Sequence, residues 1–491
     1  MTARKFFALL AIFFIGISFA AAQQREVVDP PRNIELSGEL MRGQIIESQP
    51  PQYPLSAKKK HIQGTVVLTA TISKAGIPKN IIAVSGPEEL RQVSIDAVSA
   101  WRYKPYLFKG QPVEVDTTIH VDFALGKRKT LPPPPAEAIN THVPERWSED
   151  RARKWYKHQP WLIGADYLPS DAINQFEMFQ AATWNPTLND RELALAESLG
   201  MNTLRVFLQD QLWQQDPEGF KHRLDEFLTI ASRHHIHPIL VLFDSCWDPL
   251  PHLGQQHAPT PGIHNSGWVQ SPGMDELANP AYEPKLESYV KGIVGAFSSD
   301  PRVLAWDIWN EPDSPDENYG SYILPNHVAL VDALLPKVFG WARSVNPTQP
   351  LTSGVWDGDW SDPAKENATT KIQLLESDVI SFHNYGPPES FAARVKELQA
   401  LNRPLICTEY MARGYGSTFQ TILPIAKKNH VGAINWGLVA GKMQTWLPWD
   451  SWSHPYVTTQ PPVWHHDIFH TDGTPYNQDE VDFIRHITGH Q

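Results

Sequence analysis

From about residue 146 to the C-terminus the chain alternates strand-like and helix-like segments, and this alternation narrows the fold more than any other feature. Short apolar runs fall at 161–167, 202–208, 238–243, 303–309, 350–355, 378–383, 404–409 and 432–437. Between them lie segments with helical spacing, at 190–199, 218–235, 284–298, 327–345, 366–376, 389–401, 418–429 and 478–488. In 284–298 the stripe is Leu286, Tyr289, Val290, Ile293 and Phe297. Asp190 stands near the expected N-cap of 190–199, and Gly200 follows its end. Eight such units in roughly 340 residues predict an α/β fold, a closed parallel (β/α)8 TIM barrel. An open doubly wound sheet would want a Gly-rich first turn, and Gly164-Ala-Asp-Tyr-Leu-Pro169 is not one.

Upstream the pattern changes. Residues 132–135 are four consecutive prolines, too stiff to join a sheet, so 127–145 reads as a Pro-rich linker. Before it, 37–126 reads as a small α+β domain. Thr65 to Ile72 alternates as a strand, Ser73 to Gly76 turns, and Pro78 to Val84 forms a second strand. Glu88 to Ala100 is helical, and Val113 to Leu125 is a long final strand. Residues 1–22 read as a signal peptide. Arg4 and Lys5 precede an apolar run from Phe6 to Ala20, and Ala20-Ala21-Ala22 supplies small residues for cleavage. The run is short for a membrane span, so no span is expected once it is removed.

Charge excludes one class of partner. Residues 23–130 hold 15 Lys and Arg against 11 Asp and Glu, which, with the basic start, leaves 131–491 at −18. Nucleic-acid binding needs clustered cations, so none is expected. Of the two cysteines, Cys246 and Cys407, the barrel reading places one near the end of the third strand and one near the end of the seventh. Two free, buried thiols are therefore expected. No Cys/His spacing suggests a metal site, and His234-His235-Ile236-His237 reads as a helix end leading into a strand.

Working residues in such barrels sit at the C-terminal ends of strands. The fourth strand runs into Asn310-Glu311-Pro312 and the seventh into Glu409-Tyr410. Two carboxylates brought to one mouth are what hydrolysis of a glycosidic bond needs: one protonates the leaving oxygen and the other attacks or activates water. No metal or organic cofactor is needed for this. The 18 tryptophans add to the case, because sugar rings stack on indole. Trp184, Trp213, Trp247, Trp268, Trp309, Trp356, Trp360, Trp436, Trp446, Trp449 and Trp452 are candidates for cleft positions, and Trp306 for the core. The long segments 244–283 and 438–477 are expected to wall the cleft.

These residues resemble clan A glycoside hydrolases, most closely the cellulase-like family 5, over about 160–445. The resemblance implies Glu311 as acid/base, Glu409 as nucleophile and Arg205 as the nucleophile's partner. It also implies Asn310 on the sugar 2-hydroxyl, His383 beside the acid/base, Tyr385 donating to Glu409, and Trp436 as the floor of the sugar subsite. Glu311 would then need a raised pKa, from burial beside aromatics and the Glu409 charge. The family often carries a His near the end of the third strand. Here the run is Phe243-Asp-Ser-Cys-Trp-Asp-Pro249, and Asp244 or Trp247 is expected to fill that space.

The N-terminal segment resembles the TonB C-terminal domain family. The matching residues are Pro51-Gln-Tyr-Pro54, Gln63-Gly-Thr-Val-Val67, Ala97-Val98 with Trp101-Arg-Tyr-Lys-Pro-Tyr106, and Gly110-x-Pro-Val113. It implies an envelope protein as partner and a periplasmic or secreted protein of a Gram-negative cell envelope. The hydrophobic segment has no histidine, and no long Pro-rich spacer separates it from the domain, which favours docking over energy transduction. The resulting expectation is an exported retaining hydrolase of a β-linked poly- or oligosaccharide such as glucan, mannan or xylan. The alternative is a TonB-type transducer or envelope docking protein whose barrel binds carbohydrate without catalysis.

Overall fold

The computed structural model describes residues 34–35, 45–60, 62–108, 111–123, 145–256, 258–314, 318–319 and 323–490. The expected signal peptide, and all of the expected linker but Glu145, lie outside the described residues.

In the N-terminal part, strands Gly64–Ile72 and Pro78–Ser85 pair antiparallel, and Val115–Phe123 pairs antiparallel along the whole of Gly64–Ile72. Ile34–Glu35 adds a parallel edge beside Val115. Helix Glu88–Ser99 packs on this sheet, burying Leu90 and Val98 against Val66, Leu68 and Val121. The expected strands and helix appear within two residues. Two short pairings, Ile45–Glu47 with Arg102–Tyr103 and Leu107–Phe108 with Gln111–Pro112, were not foreseen.

The C-terminal part is an eight-stranded parallel barrel. Its strands are β1 Ile163–Asp166, β2 Thr203–Phe207, β3 Ile239–Asp244, β4 Ala305–Asn310, β5 Leu351–Thr352, β6 Ile380–His383, β7 Leu405–Tyr410 and β8 Gly432–Trp436. Neighbours pair in chain order, and β8 pairs with β1. The remaining seam, between β5 and β6, closes through a parallel bridge from Val355 to Phe382. The fifth strand is shorter than expected, because Ser353 and Gly354 break the ladder before Val355 rejoins it.

Outer helices follow each strand: α1 Pro186–Ser198, α2 Pro217–Arg233, α3 Glu283–Ala296, α4 His327–Ser344, α5 Ala368–Glu376, α6 Pro388–Gln399, α7 Phe419–Lys428 and α8 Gln478–Thr488. Their starts follow capping chemistry. The side chains of Asn185, Asp216, Asn367 and Asn477 accept backbone N–H bonds at the N-caps of α1, α2, α5 and α8. Asp190 is thus not the cap of α1. The Asn185-Pro186 pair starts that helix a turn earlier, and Asp190 instead accepts from Arg233 and His234.

Two apolar layers hold the barrel. One lies between strands and helices, where the α3 stripe and Trp306 are fully buried. The other fills the bottom of the barrel with Ile239, Ala305, Ile406 and Ile434, and helix Glu149–Lys157 stoppers it with Ala152 and Tyr156. With the bottom sealed by apolar side chains, the polar groups of the interior collect at the opposite mouth.

Candidate active site

That mouth centres on one guanidinium. Arg205, on β2, has no solvent exposure. It donates to Asp166 Oδ1 at 2.9 Å, Asp307 Oδ2 at 2.9 Å, Asn310 Oδ1 at 2.6 Å and Glu409 Oε1 at 2.8 Å. Burial alone would lower the Arg205 pKa, but Asp307, Asp166 and Glu409 more than reverse this and keep it charged. Burial raises the pKa of both Asp166 and Asp307, and the one cation, shared among three carboxylates, offsets this only in part.

Of the three, Glu409 is the most exposed, at 5% against 3% for Asp166 and 0% for Asp307. Besides Arg205 it accepts from the Tyr385 hydroxyl, Oη to Oε2, at 2.7 Å. Burial raises the Glu409 carboxyl, and Arg205 and the Tyr385 hydrogen bond offset this only in part. The Tyr385 phenol is itself raised, first by burial and then by Glu409, so it stays a donor.

Glu311 follows directly after β4 and has φ 40°, a left-handed backbone that non-glycine residues seldom adopt. Its side chain, 15% exposed, lies against His383, whose Nδ1 is 2.9 Å from Oε1. Burial pushes the carboxyl up to about 7. Burial is the expected cause, Asp313 and Asp357 add to it, and the Glu311 and Glu409 charges oppose each other as expected. Burial also pulls His383 down to about 4, so the ring is neutral. Ligand atoms of Glu311, His383 and Glu409 all lie within 4.8 Å of one another, close enough to share either a sugar or a cation.

Asn310 is held from both sides. Its oxygen is taken by Arg205, and its Nδ2 donates to Asp244 Oδ1 at 3.0 Å. Trp436, 7% exposed, stands edge-on to Phe207 and Trp268. All seven residues singled out from the sequence are therefore brought to this one mouth.

Other expectations need correcting. Neither Asp244 nor Trp247 fills the space beside the acid/base candidate. Asp244 is buried under Trp268, which donates to it at 2.6 Å, and Trp247 faces Trp452. The residue in place is Cys246, whose Sγ donates to Glu311 Oε2 at 3.3 Å and accepts from Asn310 Nδ2 at 3.4 Å. Neither cysteine is in a disulfide, but only Cys407 is fully buried; Cys246 is half-buried and reaches Glu311. Several tryptophans are not in the cleft. Trp184 donates to Glu226 on α2, and Trp213 packs on Gly292 of α3, both in the outer helical layer. Trp268, Trp309 and Trp360 are core or nearly so.

Sequence reasoning did not find Asp166, Asp307 or Cys246 as site residues. Asp166 and Asp307 each lie on a barrel strand in an otherwise apolar run, a signal that could have marked them. Cys246 carries no such signal, because its place depends on the turn that Asp244 Oδ1 makes by accepting from the Cys246 N–H.

A closed parallel barrel with two carboxylates facing across its mouth, one hydrogen-bonded by Arg and Tyr and the other raised by burial toward neutrality, defines a glycoside hydrolase. The cellulase family, glycosyl hydrolase family 5, matches residues 169–442, and the chain belongs to it. The Gram-negative bacterial TonB protein C-terminal family matches residues 49–125. Among curated proteins, protein TonB of Vibrio cholerae is 32% identical over 15% of this chain and 32% of its own length. A β-1,4-xylanase of Dictyoglomus thermophilum is 29% identical over 25% of this chain and 33% of its own. Mannan endo-1,4-β-mannosidase 8 of Oryza sativa is 22% identical over 40% and 54%. The chain thus spans about a third to a half of the length of the curated relatives it matches. Among solved structures, the exo-β-1,4-mannosidase Op5Man5 of Opitutaceae bacterium strain TAV5 is 19% identical, covering 67% of this chain and 60% of that one at a TM-score of 0.44. The endo-β-1,4-mannanase of Thermotoga petrophila is 14% identical, covering 67% and 76% at 0.43.

Proposed function

We propose that this protein is an exported, retaining β-glycoside hydrolase that cleaves β-1,4-linked mannan, xylan or glucan chains by double displacement. The observation that carries the reading is the separation of the two carboxylates. Ligand oxygens of Glu311 and Glu409 lie within 4.8 Å of each other. Retaining enzymes hold such a pair at about 5–5.5 Å, whereas inverting enzymes leave roughly 6.5–9.5 Å for a water. The asymmetry of their surroundings supports the division of labour. Arg205 and Tyr385 stabilise a Glu409 anion, and a Glu311 pKa of about 7 lets that carboxyl carry a proton near neutrality.

In the first step a Glu409 oxygen attacks the anomeric carbon while Glu311 gives its proton to the departing glycosidic oxygen. The sugar is then an ester of Glu409, and Glu311 is an anion. In the second step Glu311 takes a proton from a water whose oxygen attacks the same carbon, and Glu409 leaves as the carboxylate. His383, neutral and 2.9 Å from Glu311, orients that carboxyl through both steps. Asn310 is fixed by Arg205 and Asp244, and its second Nδ2 hydrogen, which lies on Cys246 Sγ at 3.4 Å, turns to the sugar 2-hydroxyl when substrate enters; Trp436 floors the ring. The substrate class follows the xylan and mannan named for the curated relatives. Export follows from the basic-apolar-small order of residues 1–22, and a place in the Gram-negative envelope from the TonB-like segment, which would dock an envelope protein.

The test is to offer the purified protein aryl β-mannoside, β-xyloside and β-glucoside together with the three soluble polysaccharides. Cleavage of at least one, with a first-formed product of β configuration by NMR, is expected. A first product of α configuration, or no cleavage of any, overturns the reading.

A further inference from the structure

Three loops at the barrel mouth are joined into one wall. Residues 260–265, after β3, and 443–456, after β8, run against each other. Asn265 N–H donates to Met443 O at 3.1 Å, Tyr456 N–H donates to Gly262 O at 2.9 Å, and His264 N–H donates to Ser451 Oγ at 2.8 Å. Gln444 Nε2 adds bonds to Thr260 O and Ile263 O at 2.8 and 3.0 Å. The loop after β1 completes the seam, with Ser170 O accepting from Lys442 N–H at 3.0 Å. Glycine is required at this approach, because a Cβ on Gly441 would fall 2.3 Å from Ser170 O. The wall therefore joins the loops after β8, β1 and β3.

Its inner side is aromatic. Among the described residues, Phe207, Trp268 and Trp436 pack edge to face at 4.9–5.7 Å, and Trp268 is 1% exposed, so a packed aromatic face lies beneath the wall. At the back stands His264, buried, with its Nδ1 2.7 Å from Leu447 O. Its ring centroid is 5.9 Å from Trp247 on one side and 5.4 Å from His466 on the other. Trp247 stacks on Trp452 at 5.2 Å, and Trp449 meets Tyr385 at 5.1 Å, which ties the wall to both flanks of the carboxylate pair. On the other side of Glu311, by contrast, Trp356 is half-buried, with its Nε1 on Asp313, and Asp357 is exposed.

We infer that this wall makes the cleft blind at its glycone end, so that the enzyme attacks chains from the non-reducing end and releases short units. The inference rests on the hydrolase reading above and deepens it. The direction follows from the chemistry. The acid protonates the bond to the leaving group, so the leaving chain lies beyond Glu311, on the β4–β5 side. The ring held by Arg205, Asn310 and Trp436 lies on the walled side. A chain threading past that ring would have to pass through Trp268 and His264, both buried.

The experiment uses the whole protein and matched pairs of β-1,4-linked hexasaccharides of mannose, xylose and glucose. One member of each pair is free, and the other carries a bulky acetal on its non-reducing terminal sugar. The expected result is release of a single short product from the free chain from the earliest time point, and a kcat/KM at least about 100-fold lower on the blocked chain. Equal rates on the two members, or an early mixture of internal fragments, overturns the blind cleft while leaving the hydrolase reading intact. Failure to cleave any free chain or aryl β-glycoside removes the hydrolase reading and this inference with it.

Discussion

Replacing Cys246 by alanine removes a thiol that donates to Glu311 Oε2 at 3.3 Å. In the proposed mechanism Glu311 must be protonated to start the reaction, so its pKa sets the alkaline limb of the kcat/KM profile. That limb is expected near pH 7, the value to which burial raises this carboxyl. A donor to a carboxylate stabilises the charged form and lowers its pKa; taking the donor away raises it. Hydrogen bonds to charged groups are worth about 1.5–3 kcal/mol. A thiol is a weak donor, so roughly 0.5–1 kcal/mol is a fair share here. At about 1.36 kcal/mol per pH unit the limb should move up by about 0.4–0.7 unit. Cys246→Ser, which offers a stronger donor, should move it the other way or leave it in place. The assay is kcat/KM against pH between 4 and 9 on an aryl β-glycoside, with about equal thermal stability as the control. An alanine variant whose limb is unmoved or falls would refute the assignment of this thiol to Glu311.

Four further outcomes follow. Glu409→Ala should abolish turnover of every substrate. Glu311→Ala should retain the first step on substrates with very good leaving groups, and azide should restore turnover by giving a β-glycosyl azide; no azide product would count against Glu311 as the acid/base. Chelation should leave activity unchanged, because two carboxylates and a proton suffice, although Glu311, His383 and Glu409 are close enough to hold a cation; persistent loss restored by one metal would contradict this. Limited proteolysis should cut within the expected linker, 127–145, and leave a folded fragment of about 146–491, since the barrel has its own stoppered core; absence of a stable fragment would put the boundary elsewhere.

The sequence was informative where local chemistry decides position. Strand ends are set by apolar runs meeting polar residues, so Glu311 and Glu409 are legible there, while Arg205, Asn310, His383, Tyr385 and Trp436 come from the resemblance to family 5. Helix starts were less so: an Asn-Pro pair at 185–186 outcompeted Asp190 because a fixed proline φ and a side-chain acceptor act together. What could not be read was long-range. Trp213 and Trp184 look like cleft tryptophans from their loops and ends, yet their indoles face helices. Cys246 lies 65 residues from Glu311, and Gln444 184 residues from Thr260, and no periodicity encodes such contacts. The depth of the mouth, and with it the choice between chain ends and chain interiors, is held in those loop pairings.

The central claim is that Glu409 becomes covalently bound to sugar. A 2-deoxy-2-fluoro β-glycoside with a good leaving group slows release of the ester more than its formation, because the fluorine destabilises both cationic transition states and the leaving group offsets only the first. Incubation followed by peptide mass spectrometry should find one fluorosugar per chain on the peptide that contains Glu409, with none on the Glu409→Gln variant. An adduct on another residue, or continued turnover of this substrate with no adduct at all, would contradict the account.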